Sequence, residues 1–385
     1  MAMSLTPTQA AKLAHAVYDI YEDGSSVKDA FLKTGTSSRF ALKDDGARFS
    51  GVSGGTFGSP TGFGVVARST GTDSNELLIV TRGTRFTSVA DWYSNAMATM
   101  TVSSKPVHSG FNKIFRSFKD ELARKLPRDR ISRVHCVGHS LGGALANLVA
   151  DWMLNEGRAQ EAELYTFGAP RVGFNRFAEH LTTGVKPQRI HRVYHHSDVV
   201  PMVPIWPFVH SPEPGDVCYV RAAGESERPD TEYHDMDLYT KSMKKHDDWS
   251  TLHKMAPPTN MDKQVAAWLA SDSPLAFTTN TFSLIGSSIK YVVAQAAAMG
   301  LQFVVGGVVH AIDALAMFLV KAAQVGGALL TLVGNLMRRI MQAVGVAVVE
   351  TGNITYQLVK WVLDKLTMAL GKVADMAIRL THRDL

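Results

Sequence analysis

The sequence predicts an α/β fold, a mainly parallel sheet covered by helices on both faces, followed by an all-α C-terminal region. Three observations carry that expectation. Between residues 60 and 270, short apolar runs of strand length alternate with stretches of helical spacing, the pattern of strand–helix–strand units. At Gly138-His139-Ser140-Leu141-Gly142 an apolar run passes abruptly into an Ala-rich helical stretch. Near Ser271-Asp272-Ser273-Pro274 the composition shifts to Ala, Val, Gly, Leu and Met, which divides the chain into residues 1–270 and 271–385.

Taken in order, Thr6-Pro7-Thr8-Gln9 has the form of a capping box with proline at the first helical position, and a helix is expected from there to about Tyr21. Leu77 to Val80 reads as a strand. Gly110 to Leu126 reads as a helix that stops at Pro127. Val134–Val137, Leu164–Phe167 and Ile190–Tyr194 are strand-like, while Leu141–Leu154 and Phe174–Leu181 are helical. Pro257-Pro258 and the Ser/Pro stretch at 271–274 are the expected linkers.

Composition bounds the function. With 45% hydrophobic and 19% charged residues, the chain can bury a sizeable core. The net charge is +5, and no Lys/Arg-rich run points to nucleic acid. From Leu275 onward nine Lys/Arg face five Asp/Glu, so most of the excess lies in the C-terminal region. Two cysteines, Cys136 and Cys218, make neither a disulfide framework nor a metal site. The first residues lack a signal-peptide pattern. Synthesis in the cytoplasm is therefore expected, with membrane association or signal-independent export left open.

A strand that turns sharply into a helix exposes the side chain at the turn. Glycines on either side leave room for it, and the helix N-terminus offers N–H groups to a developing oxyanion. Ser140 is therefore a candidate nucleophile, the alternative being a serine that only caps a helix. Other segments fall in order around it: Thr81-Arg82-Gly83-Thr84 with Asp91-Trp92 and Asn95; Val107-His108-Ser109-Gly110-Phe111; Thr166-Phe167-Gly168-Ala169-Pro170-Arg171-Val172-Gly173; and Arg192 to Pro201. Together these resemble the class 3 lipases, α/β-hydrolases that include fungal triacylglycerol lipases. The resemblance covers roughly residues 10–260.

The resemblance implies an α/β-hydrolase fold and a serine carboxylester hydrolase acting on glycerolipids without metal or cofactor. It implies Ser140 as nucleophile, Asp198 as the acid that orients a histidine, and Leu141 and Thr84 as oxyanion-hole donors. Four histidines follow Asp198. His234, in Tyr233-His234-Asp235-Met236, is similar to the catalytic position, while His210, His246 and His253 stay open. His108 and His139 fit structural roles. Thr87 to Ala98 reads either as a mobile lid or as a fixed surface helix.

The region from 271 is outside the resemblance. Tyr291–Val309 is uncharged and just long enough to span a bilayer, and Ala322–Met337 is a shorter apolar stretch. Charges between Lys360 and Arg379 share one broad helical face. Three readings are open: a helical bundle docked on the hydrolase or on a partner, a membrane-associating or inserting module, and a self-association element. The combination is similar to bacterial antibacterial lipase effectors. A second function class follows, a membrane-binding or pore-forming toxin whose C-terminal helices carry the main activity. The expected partners are a lipid substrate and a membrane surface.

Overall fold

The computed structural model describes residues 4–22, 26–42, 47–53, 59–71, 75–83, 97–101, 103–213, 218–220, 225–253, 261–303, 310–348 and 353–381. Helix α1 (Pro7–Glu22) starts from the capping box: Gln9 N–H donates to Thr6 Oγ1, and Thr6 N–H donates to Gln9 Oε1. A short α2 (Val27–Leu32) leads to β1 (Phe40–Leu42), β2 (Arg48–Ser53), β3 (Ser59–Ser69) and β4 (Glu76–Thr81). Strands β5 (Ala98–Met100) and β6 (Pro106–His108) form a separate antiparallel pair. Then come α3 (Ser109–Lys125), β7 (Ile131–His139), α4 (Leu141–Asn155), β8 (Ala159–Phe167), α5 (Asn175–Val185), β9 (Ile190–His195) and β10 (Cys218–Val220).

The main sheet runs in the order β1-β3-β4-β7-β8-β9-β10, with β2 on β3. From β4 to β10 every pairing is parallel, and β1, β2 and β3 add an antiparallel edge. The fold is an α/β-hydrolase fold. Its strands are buried on both faces, as a parallel sheet covered by helices must be. Leu77, Ile79, Val134, Cys136 and Leu164 pack with α3, α4 and α5. Their alternates Leu78, Val80, Val137, Tyr165 and Phe167 pack with α1 and with α6 (Met236–Met243). The Cys136 thiol is pushed up by burial alone and serves as a small hydrophobe.

After α7 (Ser250–His253) and α8 (Met261–Ala270), four helices build the C-terminal region: α9 (Thr279–Ala298), α10 (Ala311–Gln324), α11 (Gly327–Ala343) and α12 (Tyr356–Thr381). Their apolar faces form a third core, which also takes in Val199, Val203, Trp206 and Phe208 of the preceding part. The docked-bundle reading matches this packing. Arg339 is 1% exposed, lies over the Trp268 ring and donates to the Ser273 carbonyl, and Arg338 pairs with Asp272. The Ser/Pro stretch is thus held on both sides.

The apolar runs do not become long single helices. The run from Tyr291 is interrupted when α9 ends at Ala298, followed by a turn with Gly300 at φ +87°. The run at 322–337 is split at Gly326-Gly327, both at positive φ. No helix among the described residues is long and apolar enough to cross a membrane. Length counted along the sequence runs past the points, near Gly300 and at Gly326-Gly327, where the described helices end. Thr84, most of the 87–98 segment and Pro257-Pro258 lie outside the described residues. Of that segment, Met97 bridges His310 and Ala98 belongs to β5.

Candidate active site

Strand β7 delivers His139 and Ser140 to the start of α4. Ser140 has φ 55° and ψ −130°, a backbone region costly for any residue with a Cβ. Close backbone approach forces the glycines around it. A Cβ on Gly138 would lie 2.3 Å from the Gly142 carbonyl oxygen, and one on Gly142 would lie 2.3 Å from that of Thr81. Ser140 N–H donates to the Phe167 carbonyl, tying the elbow to the end of β8. Leu141 opens α4, where helix N–H groups have no intrahelical acceptor.

Asp198 and His234 arrive from two loops beyond the sheet's C-terminal edge. Asp198 follows β9. Its Oδ1 accepts from Val200 N–H, and the neighbouring Ser197 donates its N–H to Glu225 and its hydroxyl to the Ser226 carbonyl. His234 ends a 3₁₀ turn (Thr231–His234) capped by Asp230, whose carboxylate accepts from Glu232 N–H. The C-terminal bundle touches both loops, through the core shared with Val199–Val209 and through α12 packed on the 231–234 turn.

The three side chains meet in a row. Ser140 Oγ lies 2.9 Å from His234 Nε2, and His234 Nδ1 lies 2.9 Å from Asp198 Oδ2. All three are buried. Because Asp198 Oδ2 accepts from Nδ1–H, Nε2 is left to accept the serine proton.

Two further groups complete the cluster. The Tyr239 hydroxyl donates to the same Asp198 Oδ2 at 2.7 Å and accepts from His195 N–H. Burial, with Asp198 beside it, pushes this phenol well above its usual range, so it remains a donor. His139 Nε2–H donates to the His234 carbonyl at 2.8 Å, and its Nδ1 faces the Tyr18 hydroxyl at 2.9 Å. Tyr239 was visible in the sequence five residues after His234, but its hydrogen bond depends on a packing angle that spacing does not reveal.

The other histidines lie elsewhere. His210 Nε2–H donates to the Pro201 carbonyl, and burial together with Arg192 and Arg171 pushes the ring well below its usual range. His246 bonds Thr251 at the surface, and His253 closes α7. His108 is buried against Phe111 and Phe208. No group of three His, Cys, Asp or Glu among the described residues is placed to hold a metal ion.

Residues 78–208, which carry Ser140 and Asp198, match the family described as Lipase (class 3). The chain is similar to that family over this segment. The chain is 30% identical over 163 residues to the secreted mono- and diacylglycerol lipase 1 of Fusarium solani, which spans 40% of this chain and 46% of that one. It is 31% identical over 178 residues to the lipase of Rhizomucor miehei, 40% of this chain and 47% of that one. A shorter match, 32% over 101 residues, is to the toxin TseL of Vibrio cholerae, 26% of this chain and 15% of that one. The chain thus spans under half the length of these curated relatives. The solved Rhizomucor miehei triacylglyceride lipase overlays 56% of this chain and 78% of its own at 23% identity, with a TM-score of 0.40. The class 3 segment ends before His234 and before the C-terminal bundle.

Proposed function

We propose that the chain is a serine carboxylester hydrolase, a lipase or phospholipase that cleaves acyl esters of glycerolipids through an acyl-enzyme. The observation that carries this reading is the buried relay from Ser140 Oγ through His234 to Asp198, with the serine on a strained elbow. Ser140 Oγ attacks the ester carbonyl carbon while His234 Nε2 takes its proton. The tetrahedral oxyanion is held by Leu141 N–H and by Thr84, the second donor being assigned through the family resemblance. Collapse breaks the ester C–O bond, and His234 returns the proton to the leaving alcohol. Water then repeats the sequence on the acyl-serine and releases a fatty acid. Asp198 holds the imidazole orientation and stabilises its charged form, and Tyr239 fixes Asp198.

The lipase names of the Fusarium and Rhizomucor relatives support a glycerolipid ester as substrate, and the phospholipase option is part of the same proposal. The membrane partner is an in-plane surface met by the C-terminal helices. A toxin reading, in which those helices carry the main activity, is favoured by the TseL match and by their composition. Their apolar faces, however, are largely buried in the core shared with the lipase part.

The test is lipid analysis after incubation with mixed phospholipids and triacylglycerols, with wild type and Ser140→Ala side by side. Fatty acid release by wild type, with a loss of roughly 10⁴-fold or more in the variant, is expected. Ser140→Ala that permeabilises liposomes as wild type does would move the function to the helices.

A further inference from the structure

A cavity of about 650 Å³ lies where the C-terminal bundle meets the lipase part, within the usual range for small-ligand sites. One wall comes from Phe174 and Trp206, the other from Val293 and Leu301 with Phe303. The Trp206 and Phe303 rings lie 4.5 Å apart, and Phe303 also meets Phe318 of α10 edge-on. Trp206 is 8% exposed and Phe174 7%. Ser140, Asp198 and His234 are not among the lining residues, so the cavity is separate from the reacting atoms.

Polar residues also line the cavity: Ser104, Lys105, Asn175, Arg176 and Gln302. Lys105 and Arg176 are the charged residues of its described lining, both cationic, and no carboxylate appears in it. Arg176 and its neighbour Asn175 are exposed. Lys105 Nζ donates to the Ser103 carbonyl and lies within electrostatic reach of Asp151. Apolar walls are poor hosts for ordered water, which needs two or more polar partners. A slot with an aromatic and aliphatic interior and a cationic rim matches an amphiphile with one apolar chain and an anionic head.

We propose that this cavity binds a single acyl chain bearing an anionic head group, with the chain along the wall formed by Phe174, Trp206 and Phe303 and the head at Lys105 and Arg176. Two sources share this chemistry, a free fatty acid and a lysophospholipid. The site requires the C-terminal bundle because α9 and the turn after it supply one wall. It stands independently of the hydrolase reading.

The experiment is calorimetric titration of the full-length Ser140→Ala protein with octanoate and decanoate below micelle formation, and with a lysophosphatidic acid of matched chain. Saturable binding is expected, tightening roughly fourfold per added methylene. Ala297→Trp, at an exposed lining position on α9, fills the slot and should abolish this binding. The double reversal Lys105→Glu/Arg176→Glu, on the rim, should weaken it at least tenfold, and decanol should bind more weakly than decanoate. The tighter of the two anionic heads identifies the source. Absence of saturable binding, or binding unchanged by both Ala297→Trp and the rim reversal, overturns the proposal; binding confined to the catalytic cleft would show that second pattern. Because Ser140 is absent from every arm, failure of the hydrolase reading leaves these outcomes unaffected.

Discussion

Tyr239 and His234 share one oxygen of Asp198: the phenol donates to Oδ2 at 2.7 Å and the imidazole Nδ1 lies 2.9 Å from it. The carboxylate is therefore held from two sides, with Oδ1 fixed by Val200 N–H. Tyr239→Phe removes one charge-assisted hydrogen bond and leaves His195 N–H without its acceptor. A stability loss of about 1–3 kcal/mol is expected, together with a fall of about tenfold in kcat. Thermal unfolding and ester turnover check both, and an unchanged kcat would remove Tyr239 from the positioning role.

Gly168 is a sharper probe of the same geometry. It has φ +54°, and a Cβ there would lie 2.7 Å from Asp198 Oδ2 and 3.1 Å from His234 Nδ1. Gly168→Ala should displace the acid–base pair and lower kcat by two orders of magnitude or more. Gly157 has a similar φ of +64° with nothing within 4 Å of its would-be Cβ. Gly157→Ala should cost only about 1 kcal/mol of backbone strain and leave ester turnover unchanged. Equal activity loss in the two variants would mean that strain, not contact with Asp198, is responsible.

Much of this site was legible because its local rules are short-range. The elbow requires glycines within a few residues of Ser140, and Asp198 lies in a segment whose order the family shares. The strands were legible where apolar runs are continuous, although β8 begins at Ala159 and not at Leu164, since its first residues are partly polar at the sheet's end. Strands β2 and β3 were missed because Gly, Ser and Thr dilute their alternation, and β1 because it is only three residues long and pairs with β3 across β2 in the sequence. His234 was harder to assign than Ser140 for a physical reason. It sits on a turn that is capped locally by Asp230 but placed by the Ser197 carbonyl and the α12 packing, neither of which is local in sequence. The C-terminal region stayed open between three readings for the converse reason: composition showed its apolarity but not that much of it is spent on contacts with Val199–Val209.

Acid should weaken the fold from the opposite end of the sheet. Burial alone would raise the Glu76 carboxyl, but nearby His135 and Arg39, which donates to it, outweigh this and bring it down to about 2. Glu163 is likewise brought to about 2, with His191 and Ser4 overcoming burial. His135 is pushed below its usual range by burial, despite Glu76 and Glu163. All three groups bind protons more readily in the unfolded chain. Stability is therefore full above about pH 6.5, begins to fall as unfolded His135 takes up protons, and falls most steeply from about pH 4.5 toward 2. Each carboxylate is worth roughly 3 kcal/mol in this window, and the two are coupled. Denaturant unfolding across pH 7 to 3 should show that slope, and Glu163→Gln should flatten it. A slope unaltered by the variant would place the acid sensitivity elsewhere.

The outer face of α12 tests how the bundle meets lipid. Trp361, Lys365, Met368, Lys372 and Met376 recur at intervals of three to four residues, with Trp361 39%, Met368 49% and Met376 56% exposed. The opposite face buries Val362, Leu363, Leu366 and Leu370 in the bundle core, so this helix cannot leave the fold to span a bilayer without exposing them. An exposed stripe of apolar and basic side chains fits instead a helix lying in the plane of an anionic surface. Lys365 lies over the Trp361 ring, whereas Arg379 is compensated by Asp375, which makes Lys365 and Lys372 the effective charges. At about 1 kcal/mol per basic residue near an anionic surface, Lys365→Ala/Lys372→Ala should reduce partitioning onto phosphatidylserine-containing vesicles by roughly thirtyfold. Added salt should narrow that difference, and neutral vesicles should show little of it. Partitioning that is insensitive to both the substitutions and salt would mean that the bundle meets lipid through another face or only buttresses the Asp198 and His234 loops.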